Sequence, residues 1–287
     1  MGVKFQVTVV IPTFNRQHIL GRAIQSVLKQ TLPPQEIIVV DDGSTDETAS
    51  VLETFSENIT ILNLSENYGV SHARNRGIER AKSAWIALLD SDDYWDETKL
   101  ARQADYHLRN PELRISQCEE IWFRNGRRVN PRKKHRKQGG WIFPACLPLC
   151  IVSPSAVIFQ KSLWSEMGGF DEALPVCEDY DLWLRIARKY PIGFLDEPLI
   201  VKTGGHRDQL SQAYPAMDRY RISAMEKHLN ASLPSDWQEA LLSTLEMKCK
   251  IVAQGAEKRG NSALAQTYGA KQKAYRKLLG ELSGKMS

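Results

Sequence analysis

Four short clusters hold residue types able to do chemistry. Pro12-Thr13-Phe14-Asn15, Asp41-Asp42-Gly43-Ser44 and Asp90-Ser91-Asp92-Asp93 each follow an apolar, β-branched-rich run, and Glu178-Asp179-Tyr180-Asp181 opens an amphipathic segment. Carboxylates packed together at a strand end repel one another and call for a counter-charge. A hard divalent cation meets that need, because Mg²⁺ takes one or two carboxylates together with waters and phosphate oxygens. The competing use of Asp90 to Asp93 is a solvated turn that caps the next helix. Asp41 and Asp42 can accept hydrogen bonds from a ribose hydroxyl or a base N–H, while Ser44, Thr45 and Asp46 suit helix capping. Glu178 and Asp179 are suited either to capping or to general-base work, since a helix N-terminus lowers a carboxylate pKa and burial raises it. Arg74, in Asn67-Tyr68-Gly69 to Ala73-Arg74-Asn75, carries a planar fork for phosphate or a base carbonyl, or lies on the surface.

The elements that must hold these clusters follow from periodicity. Val7 to Ile11, Ile37 to Val40, Ile59 to Leu64 and Trp85 to Leu89 are continuous apolar strands. Helices are predicted from Ile19 to Leu28, after Asp46 to Phe55, and over 70–82, with Glu97 to Arg109 after the fourth strand. Strands that are apolar on both faces and alternate with helices specify a mostly parallel sheet covered on both sides, whose ligands bind at the strands' carboxyl ends. Further on, Ile115 to Phe123 meets Asn125-Gly126, a two-residue hairpin signal. Ser155 to Phe159 reads as a strand and Tyr180 to Lys189 as a helix. Beyond Gln212 the chain reads as helical, with breaks near Leu233-Pro234 and Arg259-Gly260-Asn261.

Composition bounds the rest. The 287 residues are 42% hydrophobic and 25% charged, the profile of a globular protein. No run reaches the ~20 apolar residues of a membrane span, and no secretory leader is evident, so a cytoplasmic protein is expected. Five scattered cysteines argue against a disulfide framework. Cys146 and Cys150 lack a second zinc-spaced pair and suit buried apolar positions. Net charge is +4, with eight Lys/Arg and His135 between Arg124 and Lys137. That segment lacks interleaved aromatics for base stacking, so no nucleic-acid partner is expected. It is expected to be a mobile loop, or to touch an anionic acceptor or the cytoplasmic leaflet of a membrane.

Taken in order, these motifs resemble glycosyltransferase family 2. They run from Val9-Val10-Ile11-Pro12-Thr13-Phe14-Asn15-Arg16 through Val40-Asp41-Asp42-Gly43-Ser44-Thr45-Asp46, Asn67-Tyr68-Gly69, Ala73-Arg74-Asn75 and Asp90-Ser91-Asp92-Asp93. Gly168-Gly169-Phe170-Asp171-Glu172 and Glu178-Asp179-Tyr180-Asp181-Leu182-Trp183 complete the set. The resemblance covers residues 5–210 and implies an α/β GT-A fold with a helical C-terminal extension: a transferase domain over 1–211, an extension over 212–287. The nucleotide half would be about 1–110, the acceptor half about 111–211, and the basic hairpin and loop 124–140. It also implies an inverting transferase that uses Mn²⁺ or Mg²⁺ and a nucleoside-diphosphate sugar, a UDP-sugar before others. The acceptor would be a glycan or a lipid-linked one, in surface polysaccharide or glycan assembly.

Carried over by position, Pro12, Thr13 and Asn15 line the nucleoside pocket and Asp42 meets the base. Arg74 approaches the base or phosphates, and Asp90 and Ser91 belong to the Asp-x-Asp motif. Asp92 is the direct metal ligand, and His206 completes the metal site or contacts phosphate. Asp179 is the base and Glu178 its neighbour at the acceptor. A nucleotidylyltransferase would need a Gly-rich phosphate loop, and residues 9–30 hold only Gly21. A binding protein on a decayed transferase scaffold is the other reading.

Overall fold

The structure, a computed structural model, describes residues 5–130, 135–205, 214 and 216–284. Strands β1 (Val7–Thr13), β2 (Glu36–Asp41), β3 (Thr60–Asn63) and β4 (Trp85–Leu88) lie in the order β3-β2-β1-β4, all parallel. The connecting helices are α1 (Leu20–Leu28), α2 (Thr48–Glu53) and α3 (Val70–Arg80). Their placement explains why these strands are apolar throughout. Val7, Val9 and Ile11 pack with Leu20, Ala23, Ile24 and Val27 of α1 on one face. Val10, Ile38 and Val40 pack with Ala73 and Ile78 of α3 on the other. Successive side chains point to opposite faces, so a strand covered twice needs apolar residues at every position.

The second half is mixed rather than parallel. After β5 (Tyr94–Trp95) and α4 (Lys99–Arg109) come β6 (Ile115–Arg124), β7 (Arg127–Val129), α5 (Phe143–Cys146), β8 (Val157–Gln160), α6 (Lys161–Met167), α7 (Glu178–Ala187) and β9 (Gly193–Gly204). Strand β8 runs antiparallel to β4 and β6, β5 antiparallel to β9, and β6 parallel to β9. The sheet is therefore parallel in its N-terminal half and mixed beyond it, a refinement of the mostly parallel sheet expected. The hairpin turn falls where Asn125-Gly126 placed it, with both residues at positive φ (50° and 73°) and Arg124 facing Arg127. Strand β9 was not foreseen, because Asp196-Glu197-Pro198 breaks its pattern; the register against β6 slips there, where proline has no N–H to give.

Helices α8 (Asp218–Glu226), α9 (Ser235–Lys258) and α10 (Ser262–Gly284) form the C-terminal part, broken where the sequence predicted. Ile222, Met225, Leu241, Leu245 and Cys249 belong to the same apolar cluster as Val10 and Ile38. The C-terminal helices thus pack on the core beneath the sheet.

Candidate active site

A cleft of about 680 Å³ opens at the carboxyl ends of β1, β2 and β4. Every described residue that the sequence assigned to a site lines it: Pro12, Thr13 and Asn15, then Asp42, Arg74, Asp90, Ser91 and Asp92, and on the far wall Glu178 and Asp179. His206 lies outside the described residues.

The first wall is a set of loops tied together by hydrogen bonds from their own side chains. Asn15 sits at φ 52°, a left-handed geometry that Asn tolerates well. Its N–H donates to Ser44 Oγ (2.9 Å) and its Oδ1 accepts from Thr45 N (2.8 Å). Asp41 Oδ1 accepts from Ser44 N (3.1 Å). Asp42, 3% exposed, accepts from Tyr68 N (2.9 Å) and Gly69 N (2.8 Å), so it fixes the loop that starts α3. Asp46, just ahead of α2, accepts from Thr48 N (3.0 Å), while α2 itself has no side-chain cap. Phe14, 37% exposed at the cleft, offers an apolar face beside these polar groups.

The floor is ionic. Buried Arg74 donates through Nη2 to Asp90 Oδ1 (2.7 Å) and through Nη1 to Glu178 Oε1 (2.5 Å). One guanidinium therefore joins the Asp-x-Asp turn to the start of α7. The Asp90–Asp93 cluster is not a helix cap. β5 separates it from α4, whose lead-in is fixed instead by Asp96 accepting from Thr98 N (2.9 Å). Within the cluster the members differ. Asp93, 1% exposed, accepts from Ser155 Oγ (2.6 Å) and Thr203 N (3.0 Å), and burial pushes its carboxyl well above the usual range. It is a strut. Asp92 is half-buried, and its backbone carbonyl accepts from Arg22 Nη2 (2.8 Å) and from Thr203 Oγ1.

The far wall starts with Cys177 at φ 64°, a strained conformation for a residue with a Cβ. It turns the chain so that Glu178 and Asp179 face the cleft from the first turn of α7, where no side chain supplies a cap hydrogen bond. Burial, and then the neighbouring Asp179, raise the Glu178 carboxyl to about 7 against the pull of Arg74. Asp179 is half-buried, with the Cys150 thiol 3.4 Å from its Oδ2. Asp181 is fully buried and serves the fold: it binds Arg185 (2.7 Å) and Lys227, the C-cap residue of α8 (2.6 Å). Arg185 also donates to Gly169 O (2.7 Å), which ties α7 to the Gly-Gly-Phe-Asp-Glu loop.

Sequence reasoning missed Lys202 and Cys150, which reach the site from β9 and from the loop after α5. It also misplaced Lys137. That ammonium is 4% exposed, 3.1 Å from both Glu120 Oε2 and Gln117 Oε1 and 3.4 Å from Ile151 O. It belongs to the interior, not to a mobile or membrane-facing loop. Gly140, paired with Ile192, holds the segment on its other side. Arg132, Lys133 and Lys134 lie outside the described residues.

The strand order, the cleft and its acidic walls define a GT-A glycosyltransferase fold. Comparison with solved structures agrees. The Staphylococcus aureus TarS fragment 1–349 in complex with UDP-GlcNAc superposes at a TM-score of 0.69 with 18% identity, over 95% of this chain and 92% of that one. Mannosyltransferase PcManGT from Pyrobaculum calidifontis, in complex with GDP-Man and Mn²⁺, gives 0.64 at 18% identity over 97% and 84%. The chain belongs to glycosyl transferase family 2, whose model matches residues 8–164. It is 32% identical over 188 residues to the Escherichia coli UDP-Glc:alpha-D-GlcNAc-diphosphoundecaprenol beta-1,3-glucosyltransferase WfgD, covering 64% of this chain and 70% of that one. It also matches longer uncharacterized Rickettsia glycosyltransferases, of whose length the match spans 35%.

Proposed function

We propose that this protein transfers a sugar, with inversion, from a nucleoside-diphosphate sugar to an acceptor hydroxyl. The supporting observation is the division of the cleft: Asp90 and Asp92 on one wall and Glu178 and Asp179 on the other, with Arg74 joined to both. In-line displacement needs that division, with a base on one side of the reacting carbon and the leaving group on the other. Asp179 takes the acceptor's hydroxyl proton as its oxygen bonds to the anomeric carbon. The bond from that carbon to the diphosphate breaks, and the diphosphate leaves with the electron pair. Arg74, held by Asp90 and Glu178, keeps the two ends at a fixed distance. Pro12, Thr13, Asn15 and Asp42 bound the nucleoside end, with Phe14 as a face for the base.

Residue chemistry fits a divalent cation, Mn²⁺ or Mg²⁺. Asp90 and Asp92 offer hard oxygens at the cleft, and acidic side chains outnumber Arg74 and Lys202 where a diphosphate must enter. Asp92 would hold the ion, with Asp90 nearer the ribose, and His206 is the expected additional ligand. When bound, the ion supplies Lewis-acid stabilisation of the leaving diphosphate.

A UDP-sugar is the first donor to test, since WfgD is named for UDP-Glc and TarS was solved with UDP-GlcNAc. The lipid-linked acceptor in WfgD's name supports a lipid-linked or glycan acceptor here and a role in surface polysaccharide assembly. No helix among the described residues is long and apolar enough to cross a membrane. A cytoplasmic enzyme that touches the inner leaflet through Arg124, Arg127, Arg128 and Arg136 fits that reading. Loss of vesicle binding when Arg127, Arg128 and Arg136 are neutralised would support the contact.

The test is a thermal-shift screen of UDP, GDP and their sugars, with and without Mn²⁺. Ligand at 100 times its Kd adds about 2.7 kcal/mol of stability. Wild type should shift with one nucleotide when Mn²⁺ is present, and Asp92→Ala should lose the metal-dependent part. Asp179→Asn should keep the shift and lose transfer. A wild type that shifts with none would favour a decayed binding scaffold.

A further inference from the structure

Lys202 reaches the cleft from β9, beside Asp90 and Asp92. Its ammonium carries three N–H donors, and its hydrogen-bond partner among the described residues is Ser153 Oγ at 3.0 Å. The carboxylates around it are largely satisfied by other groups. Glu120 is paired with Lys137 at 3.1 Å, and Asp90 with Arg74 at 2.7 Å. Asp93 takes hydrogen bonds from Ser155 and Thr203. Lys137 shows what a purely structural lysine looks like on this side of the sheet: buried and surrounded by three acceptors. Lys202 is half-buried and lies in the field of Glu120, Asp93, Asp90 and Asp92, but its one hydrogen bond among the described residues is to Ser153, which leaves N–H groups for the cleft.

Arg74 stands in contrast. Both of its terminal nitrogens are engaged by carboxylates, which leaves its fork occupied on the sides that face Asp90 and Glu178. A diphosphate arriving at Asp92 needs a cation with N–H groups to donate, and charge-assisted N–H to phosphate bonds are the strong ones.

We propose that Lys202 is a donor-binding residue, and that its ammonium holds the terminal phosphate of the nucleoside diphosphate from the β9 side. This inference rests on the donor reading of the cleft. Ser153 aims the side chain, and Asp92, one neighbour removed, keeps the site electrostatically able to accept a divalent ion at the same time. During transfer the ammonium stays protonated and stabilises the charge that arrives on the leaving diphosphate as the glycosidic carbon–oxygen bond breaks.

The discriminating measurement compares UDP with UMP by calorimetry in Mn²⁺, on wild type, Lys202→Met and Lys202→Arg. A lost charge-assisted contact should weaken UDP binding by about 10–100-fold in Lys202→Met, while UMP is nearly unaffected and Lys202→Arg recovers part of the loss. A general structural defect would weaken both ligands together and leave the UDP-to-UMP ratio unchanged, which overturns the proposal. Ser153→Ala, which removes the anchor and keeps the charge, provides the same readout if Lys202→Met does not fold: the ratio should fall, and an unchanged ratio counts against the idea. If wild type binds neither nucleotide, nor GDP nor GMP, the donor reading fails and takes this inference with it. If wild type binds and the ratio ignores Lys202, only the inference fails.

Discussion

Asn75 and Phe170, 95 positions apart, pair as residues on neighbouring strands do. Asn75 Nδ2 donates to Phe170 O and Asn75 Oδ1 accepts from Phe170 N, each at 2.9 Å. A side-chain amide thus stands in for a peptide group and fastens the Gly-Gly-Phe-Asp-Glu loop to α3. The same Nδ2 also reaches Glu172 Oε1 at 2.7 Å. Through this pair, the helix that carries Arg74 and the segment that leads to Glu178 are held as one piece.

Asn75→Ala should therefore unfold at a lower urea concentration. It strands a buried N–H and a buried C=O, at a cost of about 2–4 kcal/mol. Asn75→Asp keeps the acceptor for Phe170 N but sets a carboxylate oxygen against Phe170 O and Glu172 Oε1 where the donor stood, so it should lose at least as much. A loss under about 0.5 kcal/mol, the scale of an ordinary surface change, would show that the loop is held by other contacts.

Glu178 gives a stability that depends on pH with a definite sign. Its carboxyl rises from 4.5 to about 7 on folding, so the folded chain holds the proton more tightly than the unfolded chain. That contribution is whole below pH 4.5, declines as pH rises, and is gone above about 7. Glu178→Gln stays neutral throughout. The stability of this variant relative to wild type should climb between those two pH values in urea titrations. A difference that is flat, or that falls with pH, would mean Arg74 keeps the carboxylate ionised.

Lys137→Met removes one partner of a buried ion pair and leaves Glu120 without its nearest cation. The expected loss is about 3–5 kcal/mol. Arg136→Ala, at an exposed neighbouring position, should stay within about 0.5 kcal/mol. Equal small effects at both positions would return Lys137 to the surface.

These cases also separate what could be read from the sequence. Val9, Val10 and Ile11 announce a strand covered on both faces, and the polar residues that follow each such strand announce the cleft. Local chemistry suffices there, because strand, turn and cap involve residues a few positions apart. Lys137, Glu120 and Lys202 were illegible for the opposite reason. Glu120 and Lys202 come together because β6 and β9 lie side by side across a register slip at Pro198, and Lys137 folds back onto β6 from the segment beyond the hairpin; no short-range pattern encodes either. Arg74 falls between: its place on α3 could be read, but its two carboxylate partners, Asp90 and Glu178, come from different walls. Cys150 carried no signal at all, since its spacing from Cys146 pointed to an ordinary interior position.

Lys227 bears on how this chain can vary. Its ammonium, at the C-cap of α8, lies 2.6 Å from both Asp171 and Asp181, and Asp181 is fully buried. The catalytic lobe therefore borrows part of its internal neutrality from the tail that follows it. Exchange of tails between relatives would succeed only where the incoming helix brings a cation to the same spot, or where Asp181 changes with it. Modularity in this protein is limited by that shared charge as well as by the shared apolar cluster.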